Sequence, residues 1–308
     1  MDMRAHDRRV FLKSLGVLSV GAALGATARP GYDPDASFDL VVTEVEMRRN
    51  QAGRMLMARI YRPAGPGPFP VMLDLHGGAW NAKDRFAEEP MDRAIAQSGV
   101  LVVAIDLTLA PEAPYPANVQ DANYGVRWLK WKAPMWGGDP SKVGIYGSSS
   151  GGHVAELLSM RPRDARYNAI PLPEAPGLDA TVAYVATRSP ISDPFARFKN
   201  AEAHKRTEMM QNHHVYFTPW ETIFESNPQQ ILERKEPVAL GPLLIMQGGL
   251  DDNVLPEVQE KFAKTYRAAG GACDYHLFEG AEHQWVAHEG PATDRARRLV
   301  KQFIARHA

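Results

Sequence analysis

An α/β fold, a mostly parallel sheet covered by helices on both faces, is what the sequence predicts. Three observations carry that expectation. Eight short apolar runs are spaced along the chain. From the third onward they alternate with segments of helical periodicity, which is how strand-helix-strand units read. The composition, 44% hydrophobic and 23% charged over 308 residues, is that of an ordinary globular protein with enough chain for a sizeable core.

Taken in order, the predicted strands are 40–46, 54–61, 71–75, 100–105, 143–146, 180–185, 243–247 and 273–278. The first two read as a hairpin turning at Asn50 to Gly53. Helical faces follow later strands: Val119, Ala122, Val126 and Leu129; then Val258, Phe262 and Ala269; then Ala296, Leu299, Val300, Phe303 and Ile304. One stretch, 188–236, contains no clear strand and is long for a connection. It holds Phe195, Phe198, Met209, Met210, His213, His214, Tyr216, Phe217, Trp220 and Phe224. It reads as an insertion into a single domain covering 29–308, either a lid or pocket wall or a layer packed on the sheet.

Charge excludes some functions. Lys and Arg total 35 against 36 Asp and Glu, a formal net charge of −1 that offers nothing to nucleic acid. The single cysteine, Cys273, rules out an internal disulfide and a cysteine-built zinc site. The first 28 residues read differently from the rest. Arg8-Arg9-Val10-Phe11-Leu12-Lys13 precedes a small apolar run, and Ala26-Thr27-Ala28 has the spacing a signal peptidase uses. The run is too short to span a bilayer. The arginine pair resembles the twin-arginine signal that exports folded proteins, although Asp7 stands where Ser or Thr is usual. The expected location is periplasmic or secreted, with no membrane anchor after processing. Removing four basic and two acidic residues would bring the net charge to −3.

The strongest chemical signal is Gly147-Ser148-Ser149-Ser150-Gly151-Gly152, between the run 143–146 and a helical segment. A Gly-x-Ser-x-Gly turn between strand and helix is strained, needs small flanking residues, and lifts its central hydroxyl to a helix N-terminus. The spacing selects Ser149 as a nucleophile. His76-Gly77-Gly78-Ala79-Trp80 follows the third strand. Its glycines let backbone N–H groups approach a substrate oxygen, so Gly77 and Gly78, with the N–H of Ser150, are the expected oxyanion donors. A base and an orienting acid are then required. Asp251-Asp252 follows the seventh strand and His283 the eighth. The order is Ser, Asp, His, each on a loop after a strand, and in a parallel sheet such loops share one edge.

With these residues in place the chain, over about 36–308, resembles an α/β-hydrolase. More narrowly it resembles carboxylesterases of the hormone-sensitive-lipase and acetyl- or feruloyl-esterase type. The resemblance rests on the His-Gly-Gly loop, Leu109-Ala110-Pro111-Glu112 with Pro114-Tyr115-Pro116, Asp139-Pro140, and the Asp and His loops. It implies eight strands with the nucleophile after the fifth. It places the acid three residues before the Val of Gly-x-x-Asp-x-x-Val, which is Asp251. Two departures are Ala79, where the lipase-like branch has a third glycine, and Leu107-Thr108, where it has Tyr-Arg.

The implied activity is cleavage of a small carboxylic ester through an acyl-enzyme, with aromatic or acylated-sugar esters as candidates. A prolyl-oligopeptidase-type peptidase and a formamidase-like amide hydrolase are the alternatives. No metal and no organic cofactor is expected. Asp251-Asp252-Asn253 lacks the ligand spacing of a calcium loop, and adjacent His213 and His214 do not by themselves make a metal site.

Overall fold

The computed structural model describes residues 31–308; the export-signal reading falls on 1–28 and lies outside the described residues. The strands are β1 (Leu40–Arg49), β2 (Met55–Pro63), β3 (Phe69–Leu75), β4 (Leu101–Ile105), β5 (Gly138–Ser148), β6 (Val185–Arg188), β7 (Leu243–Gly248) and β8 (Cys273–Phe278). They form one sheet in the order β1-β2-β4-β3-β5-β6-β7-β8. The β1–β2 and β2–β4 pairs are antiparallel and the rest parallel. The hairpin turns where expected. Asn50 closes it, its N–H donating to the Arg54 carbonyl (3.0 Å) and its side chain accepting the Arg54 N–H (2.9 Å).

The helices are α1 (Glu89–Gln97), α2 (Ala117–Lys132), α3 (Ser150–Met160), α4 (Pro194–Ala203), α5 (Thr207–Tyr216), α6 (Thr222–Glu225), α7 (Pro228–Glu233), α8 (Pro256–Ala268) and α9 (Pro291–His307). Strand side chains alternate between two buried layers, as the two-residue period of a pleated strand requires. Val71, Leu73, Val103 and Ile145 pack with Val126 of α2, Leu157 of α3 and Phe262 of α8. Met72, Val102, Ala104 and Tyr146 pack with Ile95 of α1 and with Val300, Phe303 and Ile304 of α9. No described helix is long and apolar enough to cross a membrane.

Two expectations need correction. The sixth strand is Val185–Arg188, not 180–185. Asp179 accepts both the N–H (3.2 Å) and the hydroxyl (2.6 Å) of Thr181. A local side-chain turn of this kind competes with ladder pairing. Register with β5 begins at Ile145–Val185 and ends at Ser148–Arg188, so β6 reaches the sheet edge level with the turn that carries Ser149. On α8 the buried face is Gln259, Phe262, Ala263 and Tyr266. Ala269 lies at the C-cap and is exposed, because the helix ends one residue before it. The insertion carries four helices, α4 to α7, joined by short turns, and beyond Arg188 no strand among its described residues.

Candidate active site

Ser149 sits between β5 and α3 with φ 51° and ψ −116°, a conformation costly for a residue with a side chain, of order 1–3 kcal/mol. Its surroundings hold it there. Its N–H donates to the Arg188 carbonyl (2.9 Å), and its carbonyl accepts from the N–H groups of His153 and Ile191 (both 3.1 Å). The glycine requirement after the turn is steric. A Cβ on Gly151 would lie 1.9 Å from the Leu75 carbonyl oxygen, so only glycine lets α3 start this close to β3.

The structure brings Ser149, His283 and Asp251 into one hydrogen-bonded chain. His283 Nε2 is 3.0 Å from the Ser149 hydroxyl, and Nδ1 is 2.8 Å from Asp251 Oδ2. A carboxylate accepts only, so Nδ1 carries the proton and Nε2 is left to accept from the serine. Asp251 is itself fastened. Oδ1 accepts the N–H groups of Asn253 (3.0 Å) and Val254 (2.8 Å), and Oδ2 also accepts from Gln247 Nε2 (3.2 Å). Burial pushes this carboxyl up in pKa, but His283 and the Val254 N–H outweigh it and hold it below the usual carboxylate value. Asp252 points elsewhere. Its side chain is 78% exposed and pairs with Arg206 at 2.8 Å.

Burial lowers the pKa of His283. Asp251 opposes that shift, and the cations Arg188 and Arg197 add to it, so the resting imidazole is neutral at lower pH than a free histidine. A base in this form can take the serine proton.

The Gly77-Gly78 loop leaves β3 directly against Ser149. A Cβ on Gly77 would be 3.2 Å from the Ser149 Cβ. Gly78 has φ +105°, and its carbonyl accepts the N–H groups of Asn81 and Ala82 (both 3.1 Å), folding the loop back. Among the described residues, none of the N–H groups of Gly77, Gly78 and Ser150 donates to a protein acceptor. Two of these donors lie on the loop after β3 and the third opens α3.

Trp80 anchors this loop from behind. It is buried, stacks on Tyr216 (centroids 4.6 Å, planes 5° apart) and meets His153, His213 and Phe217 edge-on. The Trp80 indole N–H donates to His153 Nδ1 (3.1 Å), which leaves the His153 Nε2–H to donate to the Ser226 carbonyl (2.8 Å). Burial drives His153 down to about 4 and His213 to about 3, so both are neutral packing elements. His214 is exposed and packs on Trp220. The insertion thus forms the wall behind the Gly77-Gly78 loop. Among the described residues no group of three or more His, Cys, Asp or Glu is placed to hold a metal ion.

Sequence reasoning missed three buried polar residues around this chain. Glu88 and Arg188 form an ion pair (2.8 Å) in which each side chain is 3% exposed. Arg197 of α4 is buried over the Trp80 ring and donates to Asn253 Oδ1 (2.9 Å) beside Asp251. An arginine closing a buried apolar strand was the available signal for Arg188. The partners of the other two come from distant segments and leave no local pattern.

A parallel sheet presenting a serine turn, an imidazole and a carboxylate at its carboxyl edge defines an α/β protein built for chemistry at that edge. The chain belongs to the alpha/beta hydrolase fold family, whose sequence profile matches residues 72–287. It is 38% identical over 96 residues to carboxylesterase NlhH of Mycobacterium tuberculosis, 31% of this chain and 30% of that one. It is 28% identical over 238 residues to carboxylic ester hydrolase LipN of the same organism, 74% of this chain and 60% of that one. The matched stretches therefore span about a third to three fifths of these relatives. Among solved structures, esterase LipW from Mycobacterium marinum superposes with a TM-score of 0.67 at 23% identity, over 87% of this chain and 82% of that one. Thermogutta terrifontis esterase 2 gives 0.69 at 19% identity, over 86% and 94%. These likenesses show the fold.

Proposed function

We propose that this protein hydrolyses small carboxylic esters through an acyl-enzyme. The observation that carries the reading is the Ser149–His283–Asp251 chain, with bonds of 3.0 and 2.8 Å, set beside three undonated backbone N–H groups. The relatives named as ester hydrolases support it. Ser149 Oγ attacks the ester carbonyl as His283 Nε2 takes its proton. Asp251 keeps the imidazole in the required tautomer and stabilises the imidazolium. The N–H groups of Gly77, Gly78 and Ser150 stabilise the tetrahedral oxyanion. His283 then protonates the leaving alcohol, and water, activated by the same imidazole, releases the acid. Peptide or formamide cleavage has no comparable support among these relatives.

The test is a panel of p-nitrophenyl esters, acetylated sugars and feruloylated sugars, with fluorophosphonate labelling. Turnover of esters and labelling at Ser149, both abolished in Ser149→Ala, are expected. A folded chain that neither turns over any ester nor takes the label overturns the reading. Aromatic and acylated-sugar esters are the finer candidates, and in the aromatic insertion His213, Tyr216 and Phe217 are buried against Trp80 while Phe195, Met209, Met210, Trp220 and Phe224 are half-buried and His214 is exposed. The panel therefore decides that finer point.

The proposal extends to export. Residues 1–28 carry the Arg8-Arg9 pair, the short apolar run and the Ala26-Thr27-Ala28 site. Arg8→Lys with Arg9→Lys should leave the full chain in the cytoplasm, and normal processed periplasmic protein in fractionation would refute the route.

A further inference from the structure

Arg188 ends β6, and both its backbone and its side chain touch the proposed catalytic groups. Its carbonyl accepts the Ser149 N–H (2.9 Å). Its Nη1 donates to the His283 carbonyl (2.6 Å), and its Nη2 donates to Glu88 Oε1 (2.8 Å). The same Glu88 oxygen accepts the hydroxyl of Ser148, the nucleophile's neighbour (2.8 Å). Ser148, Glu88, Arg188 and His283 therefore form a polar bracket, and the Ser149–His283 hydrogen bond closes it into a ring. Glu88 enters from the residue just before α1, far from the others in sequence.

Stability does not account for this bracket. Desolvating two charges costs about as much as their attraction returns, and apolar residues of similar volume often do as well. Geometry does account for it. The nucleophile turn follows β5 and the base follows β8, with β6 and β7 between them in the sheet. The ladder links the Ser149 turn to the His283 loop only through β6 and β7, ending in the Leu250 N–H bond to the Ala281 carbonyl (2.9 Å). The planar, multiply bonded Arg188 guanidinium ties the His283 carbonyl directly. Trp285, two residues past His283, packs its ring against the same guanidinium at 5.7 Å.

We infer that Arg188 is a positioning residue: held by Glu88, it sets the distance between the nucleophile turn and the His283 loop so that the imidazole stays within reach of Ser149. The inference rests on the ester-hydrolase reading of the site. Arg188 also acts through its charge. The groups facing His283 are Asp251, Arg188 and Arg197, and those facing Arg188 are Glu88, Asp74 and Tyr146. After burial, the two arginines are what disfavours the imidazolium. Losing Arg188 should raise the pKa of the base.

Two variants separate tether from charge. Arg188→Lys keeps the cation for Glu88 and gives up the fork that also reaches the His283 carbonyl. Arg188→Met with Glu88→Gln removes both charges, leaves no buried ion alone, and keeps an acceptor for Ser148. Circular dichroism and thermal unfolding establish that each is folded. For both, kcat on a p-nitrophenyl ester should fall about a hundredfold, the order expected when reacting groups are misplaced by about an ångström, with KM within about threefold. The acid limb of kcat/KM should stay in place for Arg188→Lys and move to higher pH for the double variant. Nuclear magnetic resonance titration of the His283 ring supplies the same comparison without any substrate. Folded variants with unchanged kcat, and with an unchanged His283 titration in the double variant, overturn the role of Arg188. A wild-type chain that cleaves no ester overturns the hydrolase reading instead, and the ring titration still judges Arg188.

Discussion

Asp251→Asn isolates the acid of the chain, and the structure says what the amide would do. Asp251 uses both oxygens: Oδ1 receives the Asn253 and Val254 N–H groups, while Oδ2 receives His283 Nδ1–H and Gln247 Nε2. An amide of the same size keeps one acceptor. If its oxygen stays with the two backbone donors, its NH2 faces the imidazole. His283 can then meet it only as an acceptor, so the proton moves to Nε2 and points at Ser149. That tautomer cannot take the serine proton. The expected loss in kcat is about ten-thousand-fold, near 5 kcal/mol of barrier. Asp252→Asn removes only an exposed pair with Arg206, so it should cost less than about 1 kcal/mol of stability and change kcat by less than about threefold. The assay is kcat on one p-nitrophenyl ester for both variants, with urea unfolding to show that each is folded. A nearly normal Asp251→Asn beside an inactive Asp252→Asn refutes the assignment of the acid.

Three further outcomes follow from buried groups. Because burial lowers the pKa of His283, kcat/KM should stay level down to pH below the ordinary histidine value of about 6.5 and fall only as pH drops through the shifted one; an acid limb at pH 7 or above contradicts this. Asp74 and Asp92 are fully buried with raised pKa values, chiefly from desolvation, so the folded state keeps protons that the unfolded chain releases above about pH 4. Stability should therefore fall as pH rises from there towards the shifted values, and Asp74→Asn should gain about 1 kcal/mol or more relative to the parent on going from pH 4 to pH 8 in urea unfolding; parallel curves refute it. Gly151→Ala must push a Cβ off the Leu75 carbonyl and should cost about 2–3 kcal/mol, so an unchanged urea midpoint would show that α3 can move at little cost.

Much of this fold is visible in the sequence because the buried strands are unbroken apolar runs and the helices carry apolar stripes. The run 71–75 and the run 243–247 lie inside observed strands for that reason. The stretch 180–185 is as apolar as a strand, yet the Asp179 turn holds its start at Thr181, and although the Ala183 N–H and the Tyr184 carbonyl bond to β5 (2.8 and 3.0 Å), regular pairing begins only at Val185. Hydropathy does not report such competition. The site follows the same division. Ser149, Gly77, Gly78, Asp251 and His283 each sit in a short local pattern after a strand. Glu88 and Arg188 meet across a hundred residues, and only tertiary structure joins them. Asp74, a lone acid inside an apolar run, is with Arg188 at the end of its strand a local hint that a polar cluster lies under the sheet edge.

The two faces of the sheet support the site by different means. Behind the Gly77-Gly78 loop, on the side of α2 and α3, the support is apolar and aromatic. Trp80 and Tyr216 stack, Phe217 and His213 close on them, and the Tyr216 hydroxyl is satisfied by Asn118 (2.8 Å). Packing of this kind holds a backbone loop rigid, which is what a set of N–H donors needs, because their value lies in being aimed before charge develops. On the side of α1 and α9 the support is polar. Glu88, Arg188, Asp74, Asp92 and Tyr146 are all buried there, and several of their atoms have no hydrogen-bond partner among the described residues. An apolar cluster of similar volume is often at least as stable in such a place. A polar one sets fixed charges beside His283, and Arg188 lies at their head. The Glu88–Arg188 pair, buried and bonded to the His283 carbonyl, is where that polar cluster meets the edge of the sheet beside Ser149.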